Sequence, residues 1–69
     1  MATRKFKIGD KAIVNCKNWR FPMGTKTSVI GVEWDWYGRL QYNVEDLNGN
    51  TYWYYSYQLK KAEKILKVI

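Results

Sequence analysis

Apolar and polar positions along the chain change over in short runs with a period of two, and single glycines and one proline stand between the runs. Because successive side chains on a strand point to opposite faces, this pattern reads as all-β. In Phe6-Lys7-Ile8-Gly9-Asp10-Lys11-Ala12-Ile13-Val14, the residues Phe6, Ile8, Ala12 and Val14 share one face of a first strand, with a bend expected at Gly9-Asp10. The alternation stops between Asn15 and Lys26, where Pro22 and Gly24 mark the longest loop. Thr27 to Trp34 is β-branched and apolar, a second strand, and Gly31 inside it marks a bulge or the close approach of another backbone. Asp35-Trp36-Tyr37-Gly38-Arg39 is a hairpin loop. Leu40 to Glu45 alternates cleanly, which turns Leu40, Tyr42 and Val44 inward on a third strand. Asn48-Gly49 predicts a type I′ turn, since both residues tolerate positive φ, and leads into a fourth strand, Thr51 to Tyr55.

Ser56-Tyr57-Gln58-Leu59 reads as one 3₁₀ turn and Lys60-Lys61-Ala62 as a short fifth strand. Beyond it two readings stay open. Ala62, Ile65, Leu66 and Ile69 have the spacing of one helix face, whereas Ile65, Lys67 and Ile69 would share one side of a strand; a strand or frayed tail is preferred.

Sixty-nine residues make one domain, with its core expected over residues 6–62. A chain this short buries only about 60% of the surface its unfolded form exposes, so a large internal active-site cavity is not expected. Density must come from the rings: four Trp, six Tyr and two Phe. There is no histidine, and Cys16 is the single cysteine, so neither an internal disulfide nor a Cys/His zinc site can form. Cys16 reads as a small apolar filler at the end of the first strand. Basic residues near Met1 are not followed by an apolar stretch, and no run approaches the length of a membrane span, so a cytoplasmic protein is expected.

The run Phe6 to Val14 resembles the F-x-V-G-D-x-V-x-V opening of small SH3-like barrels, among them KOW and Tudor-like domains. The closing run, Asn48 to Tyr55 with Tyr57-Gln58-Leu59, is similar to the fourth strand, 3₁₀ turn and exit of the same barrels. The resemblance implies a five-stranded SH3-like barrel with a 3₁₀ turn before the last strand; the excursion loop marked by Pro22 and Gly24 is expected to fold Trp19 and Phe21 back over its mouth. A basic barrel of this size is also similar to the small accessory proteins of bacteriophages and prophages, for which the compartment would be the host cytoplasm.

Twelve Lys and Arg against six Asp and Glu give a net charge of +6, a field that favours phosphate backbones and acidic protein surfaces. Eight of the twelve lie near the two ends, at positions 4, 5, 7, 11, 60, 61, 64 and 67, whereas Glu33, Asp35, Glu45 and Asp46 are central. SH3-like barrels set their first and last strands side by side, which would gather Arg4, Lys5, Lys7, Lys11, Lys60, Lys61 and Lys64 on one basic face. Basic residues with exposed rings suit nucleic acid, DNA or RNA, bound with little sequence specificity, and Trp53 is the ring expected to stack. The alternative is an acidic protein partner, such as a host protein docked by a phage inhibitor, with Trp19, Phe21, Trp36 and Tyr37 as its contacts. Either binder is expected to be a monomer or a weak homodimer, with no membrane partner. No catalytic residue, metal or cofactor is expected, because Glu33 and Asp35, on one side of a strand, are the only alternate-residue acidic pair.

Overall fold

Five strands form one antiparallel sheet in the computed structural model, which describes residues 5–62. They are β1 (Lys11–Val14), β2 (Lys26–Trp34), β3 (Leu40–Glu45), β4 (Thr51–Tyr55) and β5 (Leu59–Lys61), in the order β4-β3-β2-β1-β5. A single 3₁₀ turn, Ser56–Gln58, joins the two edge strands β4 and β5. Three residues in that geometry advance about 6 Å, whereas the edges of a flat five-stranded sheet stand about 19 Å apart. The sheet is therefore strongly curled, and the curl creates an inside.

That inside holds Phe6, Ala12, Val14, Phe21, Val29, Tyr42, Val44, Tyr54 and Leu59, with Cys16, Val32, Leu40 and Tyr52 packed against them. Alternation fails at one place in β2. Val29 pairs with Val44, but Gly31 pairs with Asn43, so Ile30 is the extra residue of a bulge and lies exposed. The extra residue resets the phase: Val29 and Val32 both turn inward although three positions apart, and Glu33 turns outward.

Tyr42 stands at the centre. Its ring meets Phe6 edge to face at 5.2 Å. Its hydroxyl, carried by a side chain with no exposed surface, accepts the backbone N–H of Lys5 at 2.9 Å and of Phe6 at 3.3 Å. The segment before β1 is thus held by the side chain of a strand that lies beyond β2. In the loop between β1 and β2, Asn18 does similar work. Its Oδ1 accepts the backbone N–H groups of Arg20 and Phe21 and the Tyr54 hydroxyl, while its Nδ2 donates to the carbonyls of Cys16 and Phe21.

Two local expectations are corrected. Phe6 to Val14 is not one strand: Lys7 donates its N–H to Asp10 Oδ2, Asp10 returns one to the Lys7 carbonyl, and Gly9 adopts φ +99°. The resulting turn puts Ile8 in solvent rather than on the core face. At Asn48-Gly49 only the glycine has positive φ, +84°, so the turn is not type I′. Asp46 decides this. Its carbonyl takes the Gly49 N–H, and its Oδ1 takes those of Asn48 and Asn50, which fits a type I turn followed by a left-handed glycine. The expected choice between strand and helix beyond Ala62 falls on residues 63–69, which lie outside the described residues, as do Arg4 and Lys64.

Tyr42→Phe keeps the ring and removes the acceptor of two backbone donors. It is expected to lower unfolding stability by about 1 to 2 kcal/mol, read as a lower denaturation midpoint with an unchanged slope.

Candidate functional site

The strand register decides what the outer face of the curled sheet displays. Ile13 on β1 lies between Lys60 on β5 and Lys26 on β2, which aligns the three residues on one side. In the next row Lys11 pairs with Ser28, and its ammonium donates to Ser28 Oγ at 2.8 Å. Ser28 in turn pairs with Glu45, and Glu45 with Thr51. Beyond the bulge come the row Gly31, Asn43, Trp53 and the row Glu33, Gln41, Tyr55. One continuous face thus carries three exposed lysines on β5, β1 and β2 and a half-exposed tryptophan on β4.

Ile13, Ala62 and Leu47 form the apolar floor and wall of a broad depression of about 580 Å³ below the lysine corner, where Lys11 and Lys26 meet Glu45 and Asp46. A second hollow of about 280 Å³ opens at the β2–β3 hairpin, between Trp34, Arg39, Leu40, Tyr55 and Tyr57. The rings there are held by one carboxylate. Asp35 Oδ1 accepts the N–H groups of Tyr37 and Arg39, while Oδ2 accepts the Tyr55 hydroxyl at 2.8 Å and pairs with Arg39 Nε at 3.3 Å. The Arg39 guanidinium lies 5.3 Å from the Tyr37 ring centre and 5.0 Å from that of Tyr55, and Tyr55 stacks on Tyr57 at 6.0 Å. Arg39 is therefore a cation held among aromatic faces, with its side chain 59% exposed.

Burial alone pushes the Asp35 carboxyl up, but four interactions with three neighbours outweigh it and hold it below its ordinary value. They are the Arg39 N–H, the Tyr55 hydroxyl, the Tyr37 N–H and the Arg39 charge. Tyr55 is pushed up, first by donating to Asp35, then by burial and by the carboxylate's charge.

The expected terminal lysines do not form one face. Lys11 and Lys60 share the outer face, and Lys26, which the sequence reading left out, completes the group. Lys61 pairs with Ala12 and so belongs to the other side of the sheet, exposed at its edge. Lys7 is exposed in the turn before β1. Lys5 is corrected: its ammonium donates to the carbonyls of Leu59, at 2.6 Å, and Ser56, so it ties the N-terminal segment to the 3₁₀ turn. Trp53 lies on the lysine-bearing face.

The four rings expected to contact a protein are scattered. Phe21 is corrected outright, being 4% exposed and part of the core. Trp19 is exposed but leans edge-on against Tyr52, near the end of β3 that Glu45 occupies. Trp36 and Tyr37, both exposed, sit on the loop at the opposite end of β3. Sequence reasoning passed over Arg39; the missing signal was Asp35-x-x-Gly38, whose geometry aims residue 39 back across the loop. No family model, characterised protein or solved structure matches the chain. Among the described residues no helix is long and apolar enough to cross a membrane.

The Asp35–Tyr55 bond has a pH signature at each end. A lowered carboxyl stabilises the fold above its unfolded pKa, and that share is lost as pH falls through the lowered value, below about 4. A raised phenol stabilises below its unfolded pKa of about 10, and that share is lost as pH rises through the raised value. Melting temperature is expected to drop at both extremes, and Tyr55→Phe should flatten the alkaline drop.

Proposed function

We propose that this protein is a non-catalytic binding module that holds single-stranded nucleic acid across the outer face of its sheet. One observation carries the reading: the register places Lys11, Lys26, Lys60 and Trp53 on one face. Cations along such a face neutralise phosphates, and an indole with a free side offers a base something to stack on. The Arg39 cluster extends the same surface past Trp34. The curled sheet, its strand order and the 3₁₀ turn before β5 support an SH3-like barrel as the scaffold. Contact with the backbone and one or two stacked bases would leave affinity largely independent of sequence.

A second reading, an acidic protein partner, draws support from Trp36, 94% exposed at the tip of its loop. The two separate in a salt titration. If about three phosphates are neutralised, log affinity for a single strand falls against log salt with a slope near −2. Replacing Lys11, Lys26 and Lys60 together by alanine is expected to weaken binding severely and flatten that slope. Trp53→Ala is expected to cost about tenfold with the slope intact. Binding that survives the triple replacement, or that Trp36→Ala alone removes, would overturn the nucleic-acid reading.

A further inference from the structure

Beside the lysines, the outer face holds a shelf with chemistry that phosphate binding does not use. The Trp53 indole starts on β4, crosses Asn43 on β3 and ends beside Gly31 on β2. A Cβ at Gly31 would stand 3.8 Å from Trp53 Cη2 and 3.4 Å from Asn43 Cβ. The indole thus reaches across two strands of the outer face and stays 39% exposed, which leaves ring surface free for stacking. Glu33, Trp34, Gln41 and Trp53 bound a shallow hollow of about 230 Å³ above it. Glu33 is exposed and makes no ion pair among the described residues. Asn43 Oδ1, shielded from solvent, has no hydrogen-bond partner among them either. The shelf therefore joins a stacking surface to one exposed, unpaired carboxylate, on a protein whose net charge is +6.

A carboxylate in that position works against phosphate, so its use lies in reading donors. We infer that Trp53 and Glu33 form a base-reading subsite selective for guanine, a refinement that rests on the nucleic-acid reading above. Bases splayed from a single strand are recognised by stacking and by hydrogen bonds to their edges. Guanine offers two parallel donors, N1–H and N2–H, to the two oxygens of one carboxylate, a bidentate and charge-assisted pair. Cytosine and adenine offer one amino group and thymine one ring N–H, so each satisfies only one oxygen well. Gln41, which both donates and accepts, has no such bias.

The test compares a thymine oligonucleotide of about ten residues with strands whose two central bases are guanine, cytosine or adenine. Affinities are read by fluorescence anisotropy for the natural protein, Glu33→Gln and Trp53→Ala. The guanine strand is expected to bind about tenfold tighter than the thymine strand. Glu33→Gln is expected to weaken guanine binding and strengthen thymine binding, because it removes both the acceptor pair and a charge that repels phosphate. Opposite signs in one variant are not produced by a merely structural effect. Trp53→Ala is expected to weaken all four strands and erase the preference. Equal binding of the four strands, or a preference that Glu33→Gln leaves intact, would overturn the subsite while lysine-dependent binding stands. Failure of every strand to bind would overturn both readings.

Discussion

One inserted residue, Ile30, sets what each half of the long strand β2 shows to the core and to solvent. Before it, Val29 faces inward in step with Val44; after it, Val32 faces inward in step with Tyr42. Without the insertion, Val32 would meet solvent and Glu33 would be driven toward the core, where an unpaired carboxylate is costly. Gly31 is the second half of the device. Having no side chain, it leaves room for the tip of the Trp53 indole; a Cβ there would already stand in van der Waals contact with Asn43 and the ring, at 3.4 and 3.8 Å. The outer shelf and the inner packing of β2 thus have one origin.

The two hairpin loops are built alike and used differently. Asp35-Trp36-Tyr37-Gly38-Arg39 and Asp46-Leu47-Asn48-Gly49-Asn50 each place an aspartate at the first position and a left-handed glycine at the fourth. In each, Oδ1 accepts two backbone N–H groups, which leaves Oδ2 to find other partners. At Asp46 the partner is the Asn50 amide, a local closure. At Asp35 it is Tyr55 and Arg39, so a turn-forming carboxylate also positions a ring and a cation. The same backbone solution becomes part of a surface only where β4 brings a phenol within reach.

Charge is divided by the sheet rather than by the chain ends. The register sends Lys60, Lys26 and Lys11 to the outer face, whereas Lys61, one residue from Lys60, belongs to the other side because strand side chains alternate. Lys5, close to other cations in sequence, instead ties the carbonyl of Ser56 in the 3₁₀ turn and that of Leu59 at the start of β5. A group of lysines counted along the sequence is therefore dispersed in space, with Lys7 in the turn before β1 apart from all of these.

The positions of β2, β3 and β4, the inward set Leu40, Tyr42 and Val44, the bulge near Gly31 and the 3₁₀ turn before the last strand were legible in the sequence, because period-two alternation and glycine placement are local signals. The antiparallel all-β class followed from them. The type I turn at Asn48-Gly49 was misread although its cause, Asp46, stood three residues before the glycine in plain view. Phe21, Lys5 and Trp34 were not legible. Phe21 enters the core because Asn18 and Tyr54 fold its loop inward, Lys5 is committed by carbonyls more than fifty positions away, and Trp34 is turned by a bulge four residues earlier. By itself the sequence determined which segments become strands and how much charge and aromatic surface the protein carries. Only the tertiary structure decided which lysines and rings share a face, because that depends on cross-strand register and on contacts distant along the chain.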